Sequence, residues 1–228
     1  MQSQIHSVPR RGDGAGTRAQ ILETAGQVFA EKGHDRATGK EITERAGANS
    51  AAINYYFGGF EGLYAEVLVE AHKSVASVEE IAAVAEADMA PEEKLRQLIA
   101  LGVAALVSGE RSWALKVLSR EFLAPTPARS AVEDREVVPK RRLIARVVAD
   151  VLGLREDDPV VDRCCFSVMA PITVLYVCEP ASAARAFPAC CGEDVSPAAL
   201  VDHLFAFALG GLRAAAAAAA ATTAGARP

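Results

Sequence analysis

Between Thr38 and Phe57 the chain sets Lys40, Ser50, Ala52, Asn54, Tyr55 and Tyr56 around one glycine, Gly47. These types suit the reading of DNA. The Asn54 amide can pair with both polar atoms on the major-groove edge of adenine, and the Ala52 methyl can touch that of thymine. Ser50, Tyr55 and Tyr56 are small or hydrogen-bonding, and Lys40 can reach phosphate or guanine. The same residues have a plainer reading, a three-helix packing unit in which the tyrosines are core. Periodicity leaves both open.

A second set lies downstream. Trp113, Arg120, Phe122, Met169 and Tyr176 supply aromatic, polarizable and cationic groups that would line a cavity for a planar or amphipathic organic ligand. Each is also ordinary core material, and Arg120 can pair with Glu121. Cys164, Cys165, Cys178, Cys190 and Cys191 all fall in the C-terminal half, which keeps a thiol- or metal-responsive protein as an alternative. Adjacent helical residues point about 100° apart, and Cys164 and Cys178 would lie about 21 Å apart along one helix. Neither pair makes a tetrahedral thiolate site within a helix, so small buried thiols are expected, with Cys190 and Cys191 the more reactive pair. His6, His34, His72 and His203 hold no metal-ligand spacing, and His34 reads as packing. The run from Gly12 to Gly16 has no strand before it and no Gly-Lys-Ser/Thr after it, so it is not a phosphate loop. No catalytic triad, paired carboxylates or cofactor loop stands out, which leaves an all-α enzyme the least supported class. No metal and no cofactor are expected.

Helices must position these residues. Alternating patterns are scarce, alanine and leucine are plentiful, and stop signals recur at helical distances. The fold class is all-α, with about nine helices. Residues 1–16 read as a flexible arm, 17–59 as a three-helix DNA-binding domain and 60–228 as a larger helical domain for ligand and dimer contacts. The first helix opens at Thr17, with Gln20 as its capping partner, and faces inward with Ile21, Leu22, Ala25, Val28 and Phe29. Thr38 and Glu41 cap the second, which turns Ile42 and Ala46 inward and stops at Gly47. Asn49 caps a third over Ser50 to Phe57. The long fourth helix starts near Phe60. A kink is expected at Pro139 and a bend at Pro171.

The stretches Thr17 to Ala25, Phe29 to Gly33, Ile42 to Gly47, Ile53 to Phe57 and Glu61 to Tyr64 resemble the DNA-binding domain of TetR-family transcriptional regulators, without a gap over about fifty residues. Asn49 to Phe57, and Arg120 to Phe122 before a proline-rich loop, look most like the CecR type. The resemblance implies a homodimeric repressor on a palindromic operator, with a C-terminal cavity whose small-molecule effector releases the DNA. By position it makes Thr38, Lys40, Asn49, Ser50, Ala52, Asn54, Tyr55 and Tyr56 DNA contacts. The family usually has a phosphate-binding lysine where this chain has Phe60; Arg10 and Arg11 in the arm could compensate.

The chain of 228 residues carries net charge −5, which excludes a globally basic protein. Residues 1–60 sum to +1 and the rest to −6. The odd, partly adjacent cysteines are not an extracellular disulfide framework, so a reducing cytoplasm is expected. No signal peptide is read in the first thirty residues, and the apolar windows 164–178 and 198–221 read as buried helices rather than membrane spans. The second window is apolar on several faces. Leu200, Leu204, Phe207 and Leu209 would therefore meet a second copy in a four-helix interface.

Overall fold

The computed structural model describes residues 13–107, 113–192 and 194–225. All regular elements among them are helical, and they form two compact units that divide between Val67 and Leu68. The boundary falls inside a helix, beyond the Gly58-Gly59 break where the sequence places it.

The first unit holds α1 (Asp13–Lys32), α2 (Gly39–Arg45), α3 (Ala52–Phe57) and the start of α4 (Phe60–Val75). α1 buries Ile21, Leu22, Ala25, Val28 and Phe29, the face its spacing predicts. It starts at Asp13, so Thr17 lies within the helix and Asp13 to Gly16 are not arm. Arg10 and Arg11 lie outside the described residues. The Thr38 hydroxyl accepts the Glu41 N–H at 3.2 Å and so satisfies a first-turn donor of α2. Gly47 then turns the chain at φ +61°, a region costly for any residue with a Cβ. Asn49 builds the entry to α3: its side-chain oxygen accepts the Ala51 N–H at 2.8 Å and its carbonyl accepts the Ala52 N–H at 2.9 Å. Ser50 and Ala51 therefore form a turn, and α3 begins at Ala52.

The second unit continues α4 and adds α5 (Val78–Glu86), α6 (Pro91–Val107), α7 (Trp113–Leu123), α8 (Arg129–Val132), a π-helical turn (Glu133–Val137), α9 (Val138–Leu152), α10 (Pro159–Val177), α11 (Pro180–Ala186), α12 (Pro188–Cys191) and α13 (Pro197–Gly225). There are thus more helices than the nine expected. The omissions are short ones, and α5, whose Ser77–Glu80 capping box is complete. α9 is the centre and packs on α5, α6, α10 and α13. Leu95, Ile99, Val103, Val147, Val148 and Val161 fill the core between them. The expected kink at Pro139 takes the form of the π turn, in which Val138 N–H bonds the Glu133 carbonyl five residues back. Pro139 follows in a helix that runs on without a break from the π turn, and the wider turn makes room for the ring and for the ladder bond that proline does not make. Pro171 sits within α10, which continues to Val177 as one helix.

Candidate functional site

α3 has a sharply divided surface. Ala52, Ile53 and Phe57 are buried and Tyr56 is half-buried, the i, i+1, i+4, i+5 stripe of one helix face. Asn54 and Tyr55 point outward, and Tyr55 is 81% exposed. Ala52 is a correction. At 9% exposure its methyl packs inside the unit and has little surface left for a thymine. Starting the helix at Ala52 instead of Ser50 leaves no freedom in this: it shares the inward stripe with Tyr56. The Tyr56 hydroxyl lies against Gly14 of α1, where an added Cβ would stand 3.3 Å away. Its ring meets Tyr55 edge-on at 4.8 Å. Tyr56 is thus largely a packing tyrosine.

Thr38, Lys40, Ser50 and Asn54 are brought together. They line one open hollow of about 380 Å³ with Gly39, Ile53 and Phe60. Two hydroxyls, an amide and an ammonium so placed offer both donors and acceptors to base edges and phosphates. Asn49 and Tyr55 are exposed outside the hollow's lining.

The unit's other cations are mostly engaged internally. Lys32 meets Glu41 at 2.6 Å, Arg45 meets Glu31 at 2.8 Å and Glu41 at 2.7 Å, and Arg18 meets Glu66 at 3.0 Å. The hydrogen bond from Lys32, with the charges of Lys32 and Arg45, holds the Glu41 carboxyl below its ordinary range. Lys40 stands 84% exposed, with Glu44 at 3.8 Å.

Phe60 belongs to an aromatic cluster the sequence did not announce. Its ring lies 5.5 Å from Phe29 and 5.5 Å from His34, and Tyr64 closes on His34 at 4.6 Å. His34 packs as expected, and its Nε2 lies 3.2 Å from Glu61. Phe60→Lys is therefore expected to do two things. It should tighten DNA binding and steepen the salt dependence by about one counterion, and it should cost the first unit about 1 kcal/mol of aromatic packing. Binding titrations over a salt series, with urea denaturation, measure both. An unchanged salt slope removes the phosphate explanation.

The second unit contains a cavity of about 350 Å³. Phe122, Met169 and Tyr176 line it, as the sequence predicts; Trp113 and Arg120 do not. α7 explains the difference. It buries Ala114, Leu115, Val117 and Glu121, so Arg120, one residue before Glu121, falls about 100° away and is exposed. Tyr176 donates its hydroxyl to the Gly102 carbonyl, and burial pushes the phenol well above its ordinary range.

The cavity also has a polar end that no local pattern marks: His72, Glu121, Arg129, Glu133 and Lys140. Lys140 is only 8% exposed; its Nζ donates to the His72 carbonyl at 2.9 Å and lies 2.8 Å from Glu136 Oε2. Glu136 is 3% exposed, so this is a buried ion pair. Burial, aided by the charges of Lys140 and Arg129, pushes the His72 imidazole down to about 4. The Glu136–Lys140 spacing is a readable i, i+4 pair, but its burial is not readable.

The cysteines are all free. Cys164 and Cys165 are buried, and burial pushes Cys165 up to about 11. Burial, then the neighbouring Cys190 and Cys178, also raises Cys191, which weakens its reading as a reactive thiol. Among the described residues no three or more His, Cys, Asp or Glu could hold a metal.

Of the expected dimer residues, Leu200 is corrected. It is buried in its own chain's core beside Val201 and Leu212. Leu204 packs partly on that core, Leu209 is half-buried, and Phe207 is 76% exposed. On α10, Phe166 and Val174 are exposed. α10 and α13 are long and apolar enough to cross a bilayer by length and composition, and only 22% and 6% of their apolar windows are buried, which corrects the expectation that both are buried within the chain.

A helix-turn-helix head joined to a helical unit with its own cavity defines a DNA-binding transcriptional regulator. The pattern described as bacterial regulatory proteins, tetR family, matches residues 21–67, and that of the HTH-type transcriptional dual regulator CecR, C-terminal domain, matches residues 91–212. The chain belongs to the TetR family, with a C-terminal domain of the CecR type. It is 30% identical over 154 residues to the HTH-type transcriptional dual regulator CecR of Shigella flexneri, covering 64% of this chain and 69% of that protein. The fatty acid degradation regulator FadR from Bacillus halodurans shares the fold at TM-score 0.66 and 18% identity, over 86% of this chain and 99% of that one. FadR from Bacillus subtilis, solved in complex with stearoyl-CoA, shares it at TM-score 0.63 and 15% identity, over 85% and 98%.

Proposed function

We propose that the protein is a cytoplasmic homodimeric repressor. Its two heads read a palindromic operator in the major groove, and a small-molecule effector in the second unit's cavity releases them. The observation that carries this is the hollow that gathers Thr38, Lys40, Ser50 and Asn54 on one side of the helix-turn-helix. Selection of bound fragments from a random DNA pool tests it. A palindrome should emerge, and small-molecule extracts should displace it; failure to enrich any sequence sinks the reading. Asn54→Ala is expected to weaken operator binding by about 1–3 kcal/mol and to relax the base preference at one position in each half-site. Equal loss on all sequences would make Asn54 a mere phosphate contact.

The dimer rests on α10 and α13. Their exposed Phe166, Val174 and Phe207 would leave a large apolar surface in water. A second copy related by two-fold symmetry covers it as a four-helix interface, with no need for a membrane. Phe207→Glu is the cleaner probe, because Leu200 and Leu204 also serve the chain's own core. It should give folded monomers by light scattering, with operator affinity lower by tenfold or more. A folded dimer of this variant refutes the interface.

A further inference from the structure

The polar end of the cavity is unbalanced in a way that points to one kind of effector. Its acids are largely engaged by the chain. Glu121 Oε1 accepts the Thr126 N–H at 2.8 Å and both its oxygens lie 3.2 Å from the Thr126 hydroxyl, while Glu133 accepts Arg129 Nε at 2.8 Å. Its donors are not used up. An ammonium has three N–H groups and a guanidinium five. Lys140 contacts the His72 carbonyl and Glu136, and Arg129 gives its Nε to Glu133. The His72 ring makes no hydrogen bond among the described residues. The rest of the lining is mostly apolar, from Leu95, Leu98 and Ile99 to Met169 and Ile172, and the hydroxyls of Ser119, Thr173 and Tyr176 within it each donate to a backbone carbonyl.

We propose that this cavity takes a compact amphipathic organic acid, its apolar body along α6 and α10 and its carboxylate against Lys140, Arg129 and His72. The inference rests on the reading of the cavity as an effector site. The field at His72 has the matching sign, because the charges that depress it come from Lys140 and Arg129. Both cations already have carboxylate partners, Glu136 and Glu133, so what an anion would take up is the N–H groups that Lys140 and Arg129 leave over. Size bounds the body: 350 Å³ is near the lower end of the roughly 300–1,000 Å³ of small-molecule sites, which favours a single chain or ring system.

Calorimetric titration of the full chain with decanoate, decan-1-ol and decylammonium tests the proposal, with operator release recorded separately. Decanoate should bind at least tenfold more tightly than the other two. In Arg129→Met, and in the double variant Glu136→Leu with Lys140→Met, that preference should shrink to threefold or less. The double variant removes both partners of the buried pair, and Arg129 is a partly exposed side chain, so folding checks on both are straightforward. Equal or tighter binding of the alcohol or the amine overturns the proposal. So does undiminished preference in both variants, or binding of none of the three. If decanoate binds as stated and the operator stays bound, the acid site stands and the release reading falls. If the alcohol or amine binds more tightly and releases the operator, the release reading stands and the acid site falls.

Discussion

Lys140→Met is expected to destabilise the second unit by about 3–5 kcal/mol, the usual cost of removing one partner of a buried ion pair. The cause is Glu136. It is 3% exposed, and Lys140 Nζ stands 2.8 Å from its Oε2, so without that ammonium its carboxylate is a buried charge with no counterion. Glu136 sits in the π turn and is buried, so the orphaned charge stays inside the fold. Changing Glu136→Leu in the same chain removes the orphaned charge and should restore most of the loss, as replacing a buried pair by apolar side chains often does. Urea denaturation of the three proteins measures both steps. A loss below about 1 kcal/mol in the single variant would mean that Glu136 is protonated or hydrated there, and would defeat the argument.

Mild acid is expected to weaken the same unit. His72 has its folded pKa pushed down to about 4, first by burial and then by Lys140 and Arg129, whereas an unfolded chain takes up the proton near 6.5. Above pH 6.5 both states carry a neutral ring and nothing is lost. As the pH falls from there towards 4, the unfolded chain binds a proton that the folded one refuses, and stability declines. Below about 4 both are protonated and the loss levels off. The full difference amounts to roughly 3 kcal/mol, at about 1.4 kcal/mol per pKa unit. Carboxylates titrate near the lower end of this window, so the quantity to compare is the change between pH 7 and 5 in the parent and in His72→Leu. The variant should lose markedly less. Parallel profiles would show that His72 is not the group responsible.

Local pattern fixes some of these residues and distant packing fixes the others. The inward face of α1, the Thr38 cap and the Gly47 turn follow from spacing and residue type, and they suffice to build the reading head. Ala52 shows where this stops. The turn at Ser50 and Ala51 shifts the start of α3, and a residue that would face DNA packs inward instead. Leu200 is a similar case: an apolar helix needs cover, but periodicity does not say which side its own chain supplies. The cavity's polar end was hidden for a third reason. His72 and Lys140 meet across 68 positions of sequence, and no window contains both. By contrast, the Ser77–Glu80 box was open to view, and α5 could have been found from it.

The ion pairs of the head also bear on how the proposed operator would be found. Arg18, Lys32 and Arg45 are each tied to carboxylates of their own fold, so among the described residues few cations remain to displace counterions from random DNA. On the proposed reading as an operator-binding repressor, weak non-specific affinity means short sliding excursions and a search conducted mostly in free solution, with little of the protein held by the bulk of the genome. The lifetime on the operator would then be set by contacts to base edges, and an effector held in the second unit would have to weaken those contacts to end it.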